Sequence, residues 1–115
     1  MHVSHGHCFT EELTLLFGLS RDVEERTLEC HGDVLVVDIV DSELRLKNWQ
    51  FKRTGRGTAN VILDYVEHAV CSRQIDGAHV TSVVNYRFAN HLDRRGWRRT
   101  CPSIGCAPDY TFRTR

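Results

Sequence analysis

Apolar and polar positions along the chain follow two periods, one typical of strands and one typical of helices. The segment DVLVVDIV, residues 33–40, is short, β-branched and bounded by turn residues, which predicts a buried strand. Leucines alternate with basic residues in ELRLKNWQF, residues 43–51, which predicts a second strand antiparallel to the first. Asp41 and Ser42 lie between these segments and predict the turn that joins them.

Two later segments have the composition and spacing of helices. Residues 59–71 place apolar side chains at helical spacing on one face, which predicts an amphipathic helix. Residues 86–95 are helical by composition and stop at Gly96, a residue type favoured just past a helix end. Further short strands are predicted at residues 79–84, 97–100 and 110–115.

The N-terminal region is the least regular part of the pattern. Leucines recur at loosely helical spacing after Thr10, a candidate N-cap, and Gly18 and Ser20 predict a break into two short helices. Residues 1–32 are therefore predicted to form a variable helical region. The whole chain, residues 1–115, is predicted to be a single α+β domain with a central mixed, mostly antiparallel β-sheet flanked by helices.

Composition argues against several classes of protein. A chain of 115 residues that is 41% hydrophobic and 26% charged is typical of one globular domain. No apolar run reaches the roughly 18 residues of a membrane span, and the N-terminus lacks the layout of a signal peptide. We therefore expect a cytoplasmic protein with no membrane partner.

Charge is distributed unevenly although the net charge is zero. Residues 1–43 contain ten acidic and two basic residues, a charge of −8, whereas residues 44–115 contain thirteen basic and five acidic residues, a charge of +8. The second region is therefore expected to attract anions, either nucleotide phosphates or nucleic acid.

Cysteine and histidine residues are further candidates for special chemistry. Five cysteines are an odd number without regular spacing, which predicts reduced thiols and not a disulfide framework. Cys71, at a helix end, is predicted to be buried. The N-terminal histidines and Cys8 are zinc-ligand types but lack the paired spacing of a zinc site, so no metal is predicted.

A basic, glycine-rich segment links the second predicted strand to the amphipathic helix. In FKRTGRGTA, residues 51–59, small residues at Gly55, Gly57 and Ala59 let a phosphate approach the backbone. The first N–H groups of the following helix have no partner within that helix, and the helix dipole favours an anion there. Basic side chains of the segment add charge-assisted hydrogen bonds. The segment predicts a phosphate-binding loop, with a charged turn as the alternative.

This segment and a later one together resemble the GNAT superfamily of acyl-CoA-dependent acyltransferases. The matching text is TGRGTANVILDYVEHA followed by VVNYRFANHLDRRGW. The family motif Gln/Arg-x-x-Gly-x-Gly/Ala, whose loop amides bind the CoA pyrophosphate, corresponds to Thr54, Gly57 and Ala59. A register that begins at Lys52 is the alternative, but it puts Asn60 where the family has an apolar residue.

The second motif lies at the family's separation from the first. Asn85 follows Ala59 by twenty-six residues, and Gly96 follows Asn85 by eleven. The family has an Asn here, then a helix with small and apolar positions, then Gly and an aromatic residue. The matching residues after the Asn are Ala89, Leu92, Gly96 and Trp97. The resemblance covers residues 43–115.

The resemblance implies a cosubstrate and a set of binding residues. It implies a GNAT-like domain that uses acetyl-CoA or another acyl-CoA, with an amine of a protein or small molecule as the acceptor. A backbone N–H of the strand near residues 49–51 is implied to stabilise the thioester oxygen. The residues implied in CoA binding are Trp49, Phe51, Lys52, Arg53, Thr54, Gly55, Arg56, Gly57, Thr58, Ala59, Asn85, Ala89 and Leu92.

The resemblance also implies a catalytic base. Some members have a Glu on this strand eleven positions before the Gln/Arg slot, and Glu43 lies eleven residues before Thr54. Asp41 and Asp38 are alternative bases. A solvated Glu43 beside the turn, with no catalytic part, is the alternative interpretation.

Two departures from the family pattern leave a second function open. Many members have a Tyr that protonates the CoA thiolate where this chain has Leu92, and Tyr86 is a nearby tyrosine in another helical phase. Thr54 also lacks the long donor of Gln or Arg. The alternatives are a GNAT-fold interaction or nucleic-acid-binding module without catalysis, and a metal-binding module led by the N-terminal histidines. Aromatic residues do not interleave the basic ones, so nucleic acid is not the predicted partner; a homodimer stays open.

Overall fold

The computed structural model of the protein describes residues 5–50, 57–83, 85–100 and 107–114. In chain order its elements are α1 (His5–Leu19), β1 (Val23–Cys30), β2 (Asp33–Val40), β3 (Glu43–Gln50), α2 (Thr58–Cys71), β4 (Gly77–Val80), α3 (Tyr86–Arg94), β5 (Arg98–Thr100) and β6 (Asp109–Phe112). The strands form one sheet in the order β1-β2-β3-β4-β6-β5. Neighbouring strands are antiparallel except β3 and β4, which are parallel. The predicted α+β class and mixed, mostly antiparallel sheet are confirmed.

β2 and β3 form the predicted hairpin. Asp41 and Ser42 make its two-residue turn, and both have positive φ angles, 51° and 62°. A turn of this kind twists in the same direction as the strands it joins, which is why hairpins favour it. The hairpin places β3 in the middle of the sheet, between β2 and β4.

The core lies between one face of the sheet and the helices. Alternate residues of β2 and β3 enter it, because successive side chains of a strand point to opposite faces. Its fully buried members include Leu35, Val37, Ile39, Leu44 and Leu46 from the sheet and Phe9, Leu13, Ile62, Leu63 and Val66 from α1 and α2. Burial of each large apolar side chain contributes about 1.5–3 kcal/mol relative to an exposed position. None of the helices in the described ranges is long and apolar enough to cross a membrane.

The opposite side of the sheet carries a row of polar side chains, and we call this side the polar face. Strand register aligns Asp38, Arg45, His79 and Thr111 on β2, β3, β4 and β6. α1 packs on α2, α2 packs on β4, and the Arg95 guanidinium that follows α3 binds Glu67 of α2. The helices therefore lie together on the core side, and the polar face is the side that they leave open.

The N-terminal region differs from its prediction in two ways. α1 is a single helix, because Gly18 lies in its last turn and the buried Leu13 and Leu16 hold it on the core. The second predicted helix is strand β1 instead. β1 lies at the edge of the sheet and buries only Val23, Leu28 and Cys30, so its sequence lacks the apolar alternation that marks a strand.

Both predictions about the cysteines are wrong where the structure tests them. Cys8 of α1 and Cys30 of β1 form a disulfide, with Cα atoms 6.0 Å apart. The pairing depends on how α1 packs beside β1, which residue spacing does not reveal. Cys71, predicted to be buried, is exposed at the end of α2. Because Cys8 is bonded to Cys30, neither sulfur is a free thiolate ligand for a metal.

The end of α3 is fastened to α2 by Glu67. Arg95 Nε donates to Glu67 Oε2 at 2.7 Å, and Trp97 Nε1 donates to the same oxygen at 2.9 Å. Burial lowers the pKa of Arg95, but the hydrogen bonds to Glu67 and Asp64 outweigh it and raise that pKa above its ordinary value. Trp97, directly before β5, is buried.

Candidate functional site

The candidate site is a cleft where the parallel strands β3 and β4 diverge. Their pairing ends with Leu46 opposite Val80. The Thr81 N–H still donates to the Leu46 carbonyl, at 3.2 Å. β3 then continues to Gln50, whereas β4 has ended. The facing edges beyond this point therefore open into a cleft.

Hydrogen bonds to the start of β6 draw the chain away from β3 after β4 ends. The Ser82 N–H donates to Asp109 Oδ1 at 2.8 Å, and the Val83 N–H donates to the Pro108 carbonyl at 2.9 Å. Ser82 has a φ of 52°, in the left-handed region, which turns the chain in this direction. These two hydrogen bonds therefore keep the chain after β4 apart from β3 and maintain the opening.

The cleft combines an apolar wall with polar groups. It is lined by Lys47, Asn48, Trp49, Val80, Thr81, Ser82, Val83, Asn85 and Phe88. The Trp49 and Phe88 rings meet edge to face with centroids 5.1 Å apart, which joins β3 to α3 beside the cleft. Apolar walls with a few polar groups are the usual lining of small-molecule sites.

β3 contains a β-bulge where the cleft begins. Asn48 pairs with Val36 and Leu46 pairs with Val37, so Lys47 is one extra residue in β3. A bulge bends its strand and leaves the extra residue out of the ladder, and bulges are common next to active sites. The bend therefore coincides with the end of the β3–β4 pairing.

A cluster of charged side chains lies beside the bulge. Arg45 donates from Nε and Nη2 to the two oxygens of Asp38, both at 2.7 Å, and Lys47 Nζ lies 2.9 Å from Asp38 Oδ2. Lys47 Nζ also donates to Glu25 Oε1 at 3.1 Å. Burial raises the pKa of Asp38, but the hydrogen bonds from Arg45 and Lys47 outweigh it, so this pKa lies below its ordinary value. Asp38 therefore remains a carboxylate and holds Lys47 at the cleft.

α2 begins at the described end of the glycine-rich segment. Gly57 is the N-cap residue, with a φ of 74°, and its carbonyl accepts from the Val61 N–H at 3.0 Å. No side chain among the described residues caps this helix, so its first N–H groups keep their capacity to bind an anion. Thr58 is buried and Ala59 is half-buried. The predictions for Phe51, Lys52, Arg53, Thr54, Gly55 and Arg56 fall on residues outside the described ranges.

Asn85 lines the cleft and also caps α3. Its Oδ1 accepts from the backbone N–H groups of Arg87, at 2.9 Å, and Phe88, at 3.2 Å. The side-chain oxygen therefore satisfies two donors of the first turn, as in other N-caps. This fixes the start of α3, and with it Phe88, against the cleft.

The other predicted residues of α3 are not part of the cleft lining. Leu92 is fully buried in the core, and Ala89 is half-buried against it. Tyr86 is 78% exposed at the first position of α3. Their predicted parts in binding and catalysis stay predictions.

Two of the predicted bases, Glu43 and Asp41, lie toward the other end of β3, whereas the third, Asp38, is the partner of Lys47. Glu43 is four residues before Lys47, about 13 Å along a strand. Its Oε1 accepts from His79 Nε2 and from Arg113 Nε, each at 2.9 Å. Burial raises the pKa of Glu43, but hydrogen bonds from Arg113 and His79 outweigh it and lower that pKa. Asp41 is exposed in the hairpin turn.

Sequence reasoning identifies part of the cleft and misses the rest. Trp49 and Asn85 are predicted site residues that line it. Lys47, Thr81 and Phe88 line it without having been predicted, because the divergence depends on the register of β3 against β4. No residue type in the sequence marks that register or the bulge.

The fold is that of solved GNAT N-acetyltransferases. A structure of PaiA N-acetyltransferase from Thermoplasma acidophilum in complex with coenzyme A matches 71% of this chain and 53% of its own, with a TM-score of 0.54 and 10% identity. An acetyltransferase from Thermus thermophilus matches 90% of this chain and 71% of its own, with a TM-score of 0.59 and 13% identity. The ribosomal-protein-S18-alanine N-acetyltransferase from Escherichia coli matches 88% of this chain and 73% of its own, with a TM-score of 0.54 and 13% identity. The chain spans about half the length of the Thermoplasma protein. No protein-family model matches the chain, and no curated protein matches it in sequence.

Proposed function

We propose that the protein is an acyl-CoA-dependent N-acyltransferase that transfers an acetyl group from acetyl-CoA to an amine of a protein or a small molecule. The observation that carries the proposal is the position of the cleft. It opens beside the last residues of β3, and the glycine-rich segment and α2 follow β3 directly in the chain. A CoA molecule with its pyrophosphate at the start of α2 can therefore extend its pantetheine arm into the cleft.

The chemistry of the pantetheine arm suits a gap between two strands. The arm is narrow and has two amide groups separated by short apolar links. Diverging strands leave backbone N–H and C=O groups on their facing edges, which can pair with such amides as they pair with an added strand. Trp49 and Val80 supply apolar contacts for the links between the amides.

The β-bulge supplies a place for the thioester. The extra residue in β3 leaves backbone groups outside the ladder at Lys47. A backbone N–H directed at the carbonyl oxygen stabilises the negative charge that develops there when an amine attacks. We place this group at Lys47 or Asn48, slightly before the segment around residues 49–51 that the family resemblance implies.

Calorimetric titration with acetyl-CoA tests the proposal. Thr81→Trp fills the cleft with an indole, and Thr27→Trp makes the same change on the exposed edge strand β1. We expect binding by the wild type and by Thr27→Trp, and binding at least about tenfold weaker in Thr81→Trp, a loss of roughly 1.4 kcal/mol. Absence of binding at near-millimolar acetyl-CoA, or equal affinity in all three proteins, would contradict it.

A second candidate function is a GNAT-fold module that binds acyl-CoA without catalysis. It is favoured by Leu92, which is fully buried where many family members have a proton-donating Tyr, and by Glu43, whose carboxylate is engaged by Arg113. The two candidates differ in one measurement. The transferase releases CoA thiol from acetyl-CoA in the presence of amines, whereas the module binds acetyl-CoA and leaves it intact.

The cellular location belongs to the same proposal. The sequence predicts a cytoplasmic protein, but disulfides persist mainly in oxidising compartments, and Cys8 and Cys30 form one. Measuring the oxidation state of these two cysteines in protein isolated from its own cells separates the two locations. Homodimerisation also stays a proposal, which light scattering can test.

A further inference from the structure

The polar face contains a hydrogen-bonded triad, Thr111, His79 and Glu43, none of which lines the cleft. Thr111 Oγ1 lies 3.0 Å from His79 Nδ1, and His79 Nε2 lies 2.9 Å from Glu43 Oε1. Both ring nitrogens therefore have partners, which fixes the orientation of the imidazole. The side chains of His79 and Glu43 are only 22% and 28% exposed. A hydroxyl, an imidazole and a carboxylate in this order are the arrangement by which enzymes move a proton.

The partners of His79 decide where its proton lies. Glu43 is ionised near neutral pH because Arg113 and His79 bind its carboxylate, and a carboxylate only accepts hydrogen bonds. Nε2 of the neutral imidazole must therefore carry the proton that it donates to Glu43. Nδ1 is then the acceptor, and the Thr111 hydroxyl donates to it. The hydrogen bonds of the triad thus allow Thr111 to accept a proton while its own hydroxyl proton passes to His79.

The backbone of β4 leaves room for the side chains of the triad. A Cβ atom on Gly77 would lie 2.9 Å from Arg113 Cγ and 2.9 Å from Glu43 Oε1. Gly77 is the register partner of Glu43 on β4. A residue without a side chain at this position therefore lets the Glu43 carboxylate and the Arg113 side chain lie across β4, beside His79.

The triad lies near the cleft, on the polar face of the sheet. His79 is two residues before Thr81, so both lie on the same face of β4, about 7 Å apart. Arg45, the register partner of His79, shares Asp38 with Lys47, which lines the cleft. Thr111 and His79 therefore lie on paired strands, beside the end of β4 where the cleft opens.

We propose that Thr111, His79 and Glu43 form a proton relay for the acceptor amine, with His79 as the base and Glu43 as the positioning residue. The inference rests on the proposed acyltransferase function. The amine nitrogen attacks the thioester carbonyl carbon, a C–N bond forms, and the C–S bond breaks to release CoA thiolate. Before this attack, the ammonium nitrogen gives one proton to Thr111 Oγ1, while the hydroxyl proton passes to His79 Nδ1. After the C–N bond has formed, the second proton of the nitrogen passes to the CoA thiolate.

The cycle closes when the imidazolium releases its proton to solvent, which leaves CoA thiol and neutral His79. The relay is needed for acceptors that are protonated at neutral pH, as primary alkylamines are. Their ammonium groups have an ordinary pKa of about 10.4, so at neutral pH they must lose a proton before or during attack. Glu43 stabilises the imidazolium that forms, as the carboxylate does in other triads.

Glu43 is the charged neighbour that orients His79. Glu43 faces it from β3 together with Arg45, Arg113 follows β6, and Arg98 of β5 is the register partner of Thr111. Among these groups only Glu43 accepts a hydrogen bond from the imidazole. In Glu43→Gln the kcat for n-butylamine is therefore expected to fall, while the affinity for acetyl-CoA stays unchanged.

The test compares two substitutions at one position with two amines. Thr111→Val removes the hydroxyl at nearly constant shape, and Thr111→Ser retains a hydroxyl. CoA release from acetyl-CoA is followed with a thiol reagent, using n-butylamine, which is protonated at neutral pH, or hydroxylamine, which is largely a free base. We expect Thr111→Val to lower kcat/KM for n-butylamine by roughly tenfold to a hundredfold, the low end of general-base effects, with little change for hydroxylamine. Thr111→Ser is expected to retain activity with both.

Acetyl-CoA calorimetry on the same variants distinguishes failure of the relay from failure of the proposed function. No binding by the wild type overturns the acyltransferase itself. Normal binding with equal n-butylamine rates in wild type and Thr111→Val overturns the relay alone. Normal binding with no release of CoA by the wild type overturns the transferase, and the relay with it, in favour of the module that binds without catalysis. Nitrogen-15 NMR of the imidazole adds a readout that needs no activity. A neutral His79 protonated at Nε2 supports the relay, and one protonated at Nδ1 overturns it.

Discussion

Gly57 has a left-handed backbone that other residues adopt only at a cost, and it ends the glycine-rich segment. A Cβ atom on Gly57 would meet no atom within 4 Å, and the same is true of Gly18 in α1, but only Gly57 has a positive φ, 74°. We expect Gly57→Ala to lower the free energy of unfolding by about 1–2 kcal/mol, the cost of the left-handed conformation. Gly18→Ala is expected to raise it by about 0.5–1 kcal/mol, because glycine weakens helices. Urea denaturation measures both changes; a similar effect at the two positions would contradict the backbone explanation.

Thr54 decides between the two registers of the phosphate motif. If Thr54 occupies the slot where the family has Gln or Arg, Thr54→Arg adds a charge-assisted hydrogen bond to the pyrophosphate. We expect acetyl-CoA to bind about tenfold more tightly, since hydrogen bonds to charged groups contribute about 1.5–3 kcal/mol. Thr27→Arg, on the distant edge strand, adds the same charge and controls for long-range attraction. Unchanged affinity in Thr54→Arg would favour the register that begins at Lys52.

At the scale of elements, the disulfide ties α1 to the edge strand β1. Cys8 and Cys30 are separated by 22 residues, and closing a loop of this length stabilises the folded protein by about 3 kcal/mol in the chain-entropy description. Cys8→Ser is therefore expected to lower the free energy of unfolding by about this amount. Cys71→Ser, at an exposed free thiol, is the matched control and is expected to have little effect. Equal stability of Cys8→Ser and the wild type in oxidising buffer would contradict the assignment.

The elements that sequence predicts well are those whose own residues decide their structure. The β2–β3 hairpin follows from a β-branched run and the turn at Asp41 and Ser42, and α2 follows from its apolar face. β1 is not predicted as a strand because an edge strand buries few residues. Polar residues therefore dominate its sequence, and the apolar alternation of a strand is missing. α1 continues past the predicted break because Gly18 lies in its final turn.

The candidate site is predicted from sequence only in part, for a related reason. Asn85 belongs to a recognisable motif and Trp49 to a predicted strand, and both line the cleft. The bulge at Lys47, the divergence after Leu46 and the contact between His79 and Glu43 each depend on pairing between strands that are distant in sequence. Local patterns carry no information about such pairing, so these features emerge only from the folded sheet.

At the scale of the whole molecule, the carboxylates of the polar face make the free energy of unfolding depend on pH in the acidic range. The pKa values of Asp38 and Glu43 are lower than their ordinary values of 3.8 and 4.5. Each group therefore stabilises the folded protein fully above its unfolded pKa and loses that contribution as the pH falls through its folded pKa. We expect the free energy of unfolding to decline below about pH 5, and to decline less in the variant Asp38→Asn/Glu43→Gln.

Urea denaturation between pH 2 and 7, about the range over which carboxylates titrate, measures this dependence. Glu24→Gln, at an exposed position of β1, is the control and should retain the dependence of the wild type. A double variant with the same acid dependence as the wild type would show that the ion pairs of the polar face do not contribute it.

The central proposal is that a CoA molecule binds in the cleft where β3 and β4 diverge. The most direct test is a crystal structure of the protein soaked with acetyl-CoA. We predict the pantetheine arm between Trp49 of β3 and Thr81 after β4, the pyrophosphate at Gly57, and the thioester beside Lys47. Acetyl-CoA bound elsewhere on the protein, or a cleft that stays empty at saturating ligand, would contradict the central claim.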